Sequence, residues 1–544
     1  MKMRISVCAL TGLSIALVLS GGMAFAQSSA DKSCKNLKSL QIPETTISSV
    51  QWIAAGAFTP PGRGMGGGQP PVGGPQGAGR GAKPDMGRGP IDMAKDLPAF
   101  CRVAGVVQPA INFEVWLPPA SGDKRWNRKF NGVGNGGLAG FIAYDAMMQS
   151  LARGYATAST DTGHVDKFGD DSWALDEKLL VDFASRSIHM TAVAAKAVVR
   201  TYYSQDPQYS YFTGCSGGGG QALSEAQRYP ADYDGIIAGA PANFPTRLWP
   251  GELYAAWVTH RDDASRIPNE KLPAITNAAL EACDASDRVK DEIINDPRQC
   301  NFDPAKIQCA GADGPNCLTA AQVDSVRRIY EGAKDPSTGK LLWYGYEKSS
   351  ETFWPGHIND PFNTPVSYFK YMVLKNPNWE WKSLSFSDPK SFVLIEEASR
   401  KLGPVLDSTN PDLALFKKGG GKLILYHGWL DQNISPRNTI EYFESVQKTM
   451  GGSGKTGDFA RLFMAPGMAH CSGGPGPNML DALSSLEQWV EKGKAPDRII
   501  ATHSTNGKVD RSRPLCPYPK VAQYKGTGST DDAANFVCGL EETP

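Results

Sequence analysis

The chain carries no net charge: 56 lysines and arginines stand against 56 aspartates and glutamates. That balance excludes a basic field for nucleic acid and an acidic tail, and with them any strongly electrostatic partner. Beyond the N-terminus no apolar run is long enough to cross a bilayer. No C-x-x-C pair occurs, which argues against a structural zinc site. No internal repeat is visible, so the signature of a repeat architecture is missing. Histidine is scarce, with seven in the chain, so few side chains are available as a neutral-pH base.

What is present begins with a leader. Lys2 and Arg4 form a positive start, Ile5 to Leu19 an apolar core, and Ala24-Phe25-Ala26 a small-x-small cleavage site. This predicts a signal peptide over 1–26 and export to the periplasm or the medium. Cys8 lies inside the apolar run and not at the cleavage point, so a lipoprotein is not read. The remaining chain is too long for one ordinary core, which predicts a main domain with a large insertion. Setting Cys8 aside, the cysteines are even in number, and in an exported chain they predict disulfides. Sequence-local couples are Cys34 with Cys101, Cys283 with Cys300, Cys309 with Cys317, and Cys516 with Cys538. Cys215 and Cys471 remain as a couple, although sequence alone does not fix connectivity.

Pro60 to Pro90 is rich in Gly and Pro with few core-forming residues, and reads as a flexible loop. From Ile111 the text alternates strand and helix. Strands are predicted at 111–117, 129–133, 155–160, 209–213 and 233–239, with helices at 185–203 and 221–228. The rhythm breaks over 242–418, a stretch rich in Trp, Tyr, Phe, Pro and local cysteines, with helices expected at 271–283 and 320–333. It resumes over 419–544, with strands at 422–428, 460–465 and 498–502 and helices at 435–450 and 482–492. Repeated βα units predict an α/β fold, a mainly parallel sheet covered on both faces. The 27–241 and 419–544 segments form its core, and 242–418 is an inserted lid.

Gly214-Cys215-Ser216-Gly217-Gly218 fits the G-x-S-x-G nucleophile elbow, and it follows a strand and precedes a helix as that motif requires. Ser216 is the candidate nucleophile. A serine hydroxyl is weak at neutral pH and needs a base held in one tautomer by a third group. His470 follows the last strong strand, in Ala469-His470-Cys471, and is the candidate base. Asp431, in Gly428-Trp429-Leu430-Asp431, is the candidate acid, and the order Ser, Asp, His is that of α/β-hydrolases. An oxyanion needs two preorganised N–H donors. The amide of Gly217 is one candidate, and Gly136 or Gly137 of the Gly134-Asn135-Gly136-Gly137 loop is the other.

A serine preceded by cysteine and a histidine followed by cysteine, together with the local cysteine spacings, resembles the tannase and feruloyl esterase family of α/β-hydrolases from about Cys34 to Cys538. The resemblance implies a disulfide from Cys215 to Cys471 beneath a Ser216, Asp431 and His470 triad. It implies hydrolysis of aromatic carboxylic esters of feruloyl or galloyl type, with terephthalate half-esters as an alternative. A lid arginine for a free carboxylate is not evident, and Lys370 is a weak substitute, so the phenolic acyl group is favoured. The resemblance also implies a structural calcium ion in the lid, held by carboxylates of Asp284, Asp287 and Asp291 and carbonyls of Val289 and Ile293. An all-oxygen set suits calcium. Trp343, Tyr344, Phe353, Trp354, Tyr368 and Phe369 are candidates either to flank a substrate ring or to pack the lid core. The reading from another class is a non-catalytic binding protein on the same scaffold.

Overall fold

The computed structural model describes residues 31–61, 90–167 and 170–540. The signal peptide expected at 1–26 and all but the ends of the Gly/Pro-rich stretch lie outside the described residues. The centre is a nine-stranded sheet. Its strands in chain order are β1 (Thr45–Ile53), β2 (Phe100–Val107), β3 (Ile111–Leu117), β4 (Lys129–Val133), β5 (Ala156–Thr160), β6 (Tyr209–Cys215) and β7 (Gly235–Gly239). The lid then contributes a small separate hairpin, β8 (Ala333–Lys334) and β9 (Leu341–Trp343), before β10 (Lys422–Gly428) and β11 (Ala460–Ala465) complete the sheet. The spatial order is β1-β2-β3-β5-β4-β6-β7-β10-β11. Pairing is antiparallel from β1 to β5 and parallel from β5 onward.

The parallel strands are covered on both faces, and β7, β10 and β11 accordingly read as largely apolar runs, whereas β4, β5 and β6 bury Asn131, Thr157, Ser159 and Ser210 as well. Alternation assigns each residue to a face. Phe212, Ile236, Leu423 and Leu425 join one cluster with Ala195, Val198 and Val199 of the helix Ser187–Tyr203 and Leu223 of the helix Gly217–Arg228. Tyr211, Ile237, Ile424 and Phe463 join another with Leu486 and Trp489 of the helix Ala482–Lys492. Burying a Leu, Ile or Phe in this way stabilises the fold by about 1.5–3 kcal/mol each.

The chain passes from β4 to β5 on one side and returns through β6 on the other. This is a topological switch point, and the loops leaving β4 and β6 open into the crevice it creates. The insertion between β7 and β10 has its own apolar cluster, including Leu253, Ile275, Val326, Trp354 and Ile395. Its helices include Pro245–Thr259, Leu272–Cys283, Ala320–Glu331 and Pro389–Leu406. Among the described residues, no helix is long and apolar enough to cross a membrane. All five expected cystines form: Cys34–Cys101, Cys215–Cys471, Cys283–Cys300, Cys309–Cys317 and Cys516–Cys538.

Two expectations are corrected. The strand expected at 498–502 does not extend the main sheet. β12 (Met479–Leu480), β13 (Ile499–Thr505) and β14 (Lys508–Leu515) form a separate antiparallel sheet, and β15 (Lys520–Tyr524) pairs with β16 (Phe536–Leu540). Asn506 (φ 53°) and Gly507 (φ 76°) make the tight turn between β13 and β14, the strongest short hairpin signal there is. The helix expected from Gln221 begins at Gly217. Glycine is a poor helix former, but a Cβ at Gly218 would lie 2.8 Å from the Asn135 carbonyl oxygen, and one at Gly219 would collide with the Gly239 carbonyl. Close packing overrides propensity here.

Candidate active site

Ser216 sits between the end of β6 and the helix Gly217–Arg228, with φ 63° and ψ −124°. A positive φ is costly for a residue with a Cβ and persists only where neighbours over-determine it. Three backbone bonds do so. The Ser216 amide donates to Gly239 O at 3.0 Å, and its carbonyl accepts from Gly220 N at 3.1 Å and Ala242 N at 3.0 Å. The side chain is left partly exposed at the carboxyl end of the sheet.

The preceding residue, Cys215, is joined to Cys471 across a sequence separation of 256, with Cα atoms 6.0 Å apart. Ser216 and His470 are therefore each one residue from a shared cystine. His470 lies in a tight loop after β11, where the Ser472 amide donates to His470 O at 2.8 Å and the Ala469 amide to Gly473 O at 2.9 Å. Its Nδ1 donates to Asp431 Oδ2 at 2.8 Å, and its side chain is 16% exposed while that of Asp431 is fully buried. Asp431 follows β10, and its Oδ1 accepts from the amides of Asn433 (2.8 Å) and Ile434 (2.9 Å). Burial alone would raise the Asp431 pKa, but the His470 and His427 rings outweigh it and hold the carboxylate well below its ordinary range.

His427 is a part of the site that the sequence reading passed over. It is fully buried, and its Nε2 lies 3.0 Å from both Asp431 Oδ2 and Ile434 O. Both partners accept, so Nε2 carries the proton, and Nδ1 meets the Thr439 hydroxyl at 2.8 Å. The signal was the four-residue spacing from His427 to Asp431 at the end of β10. A search for one base after the last strand does not look for a second imidazole behind the acid. The lid adds two more groups. His357 is 4% exposed, and burial, with the His470 charge adding, pushes it down to about 4. Glu252 is held toward its neutral form by burial and by the Asp431 charge.

The glycine loop after β4 meets the elbow helix backbone to backbone. A Cβ on Gly217 would lie 2.9 Å from the Gly137 carbonyl oxygen and 3.4 Å from its nitrogen. Gly137 itself has φ +56°. Gly217, Gly136 and Gly137, named from separate parts of the chain, thus lie together. His164 lies flat on Trp173 at 3.8 Å beside this loop, and burial pushes its pKa down to about 4.

Of the two roles open to the lid aromatics, ring contact with a substrate or packing of the lid core, burial favours the second for four of the six. Trp343, Trp354, Tyr368 and Phe369 are buried within the lid's own core, because a unit of this size needs large apolar side chains for itself. Tyr344 donates to Glu441 at 3.1 Å. Tyr344, Phe353 and Lys370 are half-buried.

Around the calcium loop, Asp284 Oδ1 accepts from the amides of Asp291 (3.2 Å) and Ile293 (3.3 Å), and Oδ2 from Glu292 (3.0 Å). Asp291 Oδ2 accepts from Arg513 at 2.6 Å, whereas its Oδ1 is buried without a partner. Burial, with Asp291 and Asp284 adding, pushes Asp287 up to about 6. The unpartnered carboxylate oxygen suits a hard cation, while the Arg513 guanidinium already offsets part of the negative charge and the three carboxylates do not gather within 4.8 Å of one another. The described ligand atoms that do gather within 4.8 Å are those of Cys309, Asp313 and Cys317, whose sulfurs are spent in a disulfide. Ile293 also abuts the His470 loop, since a Cβ on Gly467 would lie 3.3 Å from its Cγ1.

A serine on a strained strand-to-helix turn, with a histidine and a buried aspartate ending later strands of the same sheet, defines the α/β-hydrolase class. The chain belongs to the tannase and feruloyl esterase family, whose profile matches residues 97–539. It is 36% identical to an uncharacterized esterase of Xanthomonas campestris, over 95% of this chain and 93% of that one. It is 32% identical to the mono(2-hydroxyethyl) terephthalate hydrolase of Piscinibacter sakaiensis, over 82% and 85%. The crystal structure of feruloyl esterase B from Aspergillus oryzae superposes with a TM-score of 0.82 at 28% identity, over 94% of this chain and all of that one. These relatives are carboxylic ester hydrolases.

Proposed function

We propose that this protein is an exported serine esterase that cleaves aromatic carboxylic esters of feruloyl or galloyl type through an acyl-enzyme. The observation that carries the proposal is the buried Asp431 carboxylate bound to His470 Nδ1 at 2.8 Å, in a loop tied by Cys471 to the residue before Ser216. With Nδ1 donating to Asp431, Nε2 of His470 is free to accept a proton. His470 takes the proton of Ser216, whose Oγ attacks the ester carbonyl. The oxyanion rests on the Gly217 amide and a donor from Gly136 or Gly137. His470 then passes its proton to the leaving alcohol. Water, activated by the same imidazole, releases the acid. Loss of one oxyanion donor costs a hundredfold or more in rate, about 3 kcal/mol of barrier.

The acyl preference is supported by the relatives, which include a probable feruloyl esterase of Arthroderma benhamiae. A calcium ion would be held by Asp284, Asp287, Asp291 and the carbonyls of Val289 and Ile293. Its part is to neutralise their charge and stiffen the loop, and no reaction step passes through it.

The test is Ser216→Ala against a panel of methyl ferulate, methyl gallate, chlorogenate and a terephthalate half-ester. Wild type should turn over the phenolic esters fastest, and the variant none. A variant that retains activity, or a wild type that a fluorophosphonate does not label at Ser216, removes the serine from its role. Faster turnover of the half-ester would transfer the proposal to that substrate.

A further inference from the structure

The oxyanion reading needs two donors from segments far apart in sequence, one of them a loop with almost no side chains. Of residues 134–137, Asn135 alone is not glycine. A bare glycine segment has no means of holding one conformation, and freezing it costs more conformational entropy than any other sequence. The loop must therefore be held through Asn135 or from outside.

Asn135 is 5% exposed, and its backbone amide and both side-chain polar atoms are engaged. Its backbone amide donates to Gln221 Oε1 at 3.1 Å, and its Oδ1 accepts from Gln221 Nε2 at 3.4 Å. Its Nδ2 donates to Phe141 O at 2.5 Å, beyond the far end of the loop, and to Thr160 O at 2.9 Å, at the end of β5. Gln221 is 8% exposed and lies one helical turn after Gly217, so it shares the helix face that meets the loop. The two amides interlock across the seam where Gly217 and Gly137 touch. Gly134 completes the fit, since a Cβ there would lie 2.7 Å from Gly218 Cα and 2.9 Å from Gln221 Oε1.

We infer that Asn135 and Gln221 are positioning residues that set the spacing between the two oxyanion donors. The inference rests on the Ser216 acyl-enzyme reading. This side-chain pair joins the segment carrying the first donor to the helix carrying the second, so its loss loosens the spacing between them while the sheet beneath stays paired and Gly134 N keeps its bond to Thr213 O. A ground-state ester carbonyl makes little demand on that spacing, but a tetrahedral oxyanion does, so the damage falls on the chemical step.

The experiment compares Gln221→Met, Asn135→Ala and the double variant with wild type. The readouts are steady-state kinetics on methyl ferulate, inhibition by a trifluoromethyl ketone analogue of the acyl group, and inhibition by the free product acid. Gln221→Met keeps the side-chain volume, and Asn135→Ala serves if it does not fold. Each single variant should lose about tenfold to a hundredfold in kcat, with KM within about twofold. The ketone should weaken in parallel with kcat/KM, and the product acid should bind as before. The double variant should lose clearly less than the product of the two single losses, because the two residues share one contact while Asn135 also holds Phe141 and Thr160 by itself. A rise in KM with kcat retained, an unchanged ketone affinity, or losses that multiply in the double variant overturns the inference. Fluorophosphonate labelling separates the two levels. A labelled wild type with an unimpaired Gln221→Met overturns the brace alone, whereas an unlabelled wild type overturns the acyl-enzyme reading beneath it.

Discussion

Removing the Cys215–Cys471 cystine by Cys215→Ala with Cys471→Ala tests whether this bond serves stability or geometry. The bond closes a loop with a sequence separation of 256. Chain-entropy arithmetic gives an upper limit of about 5.5 kcal/mol for that loop. With an unfolding entropy of about 1 kcal/mol per kelvin for a chain of this size, the limit corresponds to a fall of about 5 °C in Tm. The catalytic consequence is larger. Ser216 and His470 flank the two cysteines, and a displacement of about 1 Å between reacting groups costs roughly a hundredfold. The Cys34–Cys101 bond, with a separation of 67, is the control, since the same arithmetic gives it about 4.4 kcal/mol and it lies away from Ser216. Scanning calorimetry and kinetics on methyl ferulate should show similar falls in Tm for the two cystine deletions. Only the first should lose about a hundredfold in kcat. A Cys215→Ala, Cys471→Ala enzyme with kcat within about twofold of wild type would refute the geometric argument and leave an ordinary cross-link.

Asp431→Asn should lower kcat by roughly ten-thousandfold with little change in KM, because the amide turns a donor toward His470 Nδ1 and forces the wrong tautomer; a loss under tenfold would remove Asp431 from its role. His164 and His357 are both pushed down to about 4 by burial, below the unfolded value near 6.5. The unfolded chain therefore takes up protons that the native state refuses. Stability should fall as pH drops from about 6.5 toward about 4, by about 1.4 kcal/mol per pH unit for each histidine. Urea unfolding across that range should show the slope, and His164→Gln should flatten it; a slope unchanged by the substitution would refute this origin. Treatment with a chelator should lower Tm, with calcium but not magnesium restoring it; an unchanged Tm would argue against the ion.

Much of the site was legible because its chemistry constrains local sequence. Ser216 needs small neighbours at a strained turn, and Gly214, Gly217 and Gly218 supply them. Strands buried on both faces tend to be apolar, so β7 and β10 announced themselves, and parallel order followed from the alternation with helices. The chain order of Ser216, Asp431 and His470 was likewise readable. The aromatic residues of the lid were not decidable, since Trp354 and Tyr368 look the same in a sequence whether they face a ligand or pack in the lid core, as they do. His427 was missed because nothing local distinguishes an imidazole that backs a carboxylate from one that simply fills a core.

By itself, then, the sequence determined seven of the nine strands of the central sheet, missing β1 and β2, as well as where the sharp turn falls and which cysteines were available, all of which follow from spacing and residue type along a short window. Only the tertiary structure decided that the elbow helix begins on four glycines, that β13 leaves the main sheet, and that Asn135 and Gln221 interlock. Those outcomes depend on the close approach of segments distant in the chain, where the space left for one side chain is set by the backbone of another.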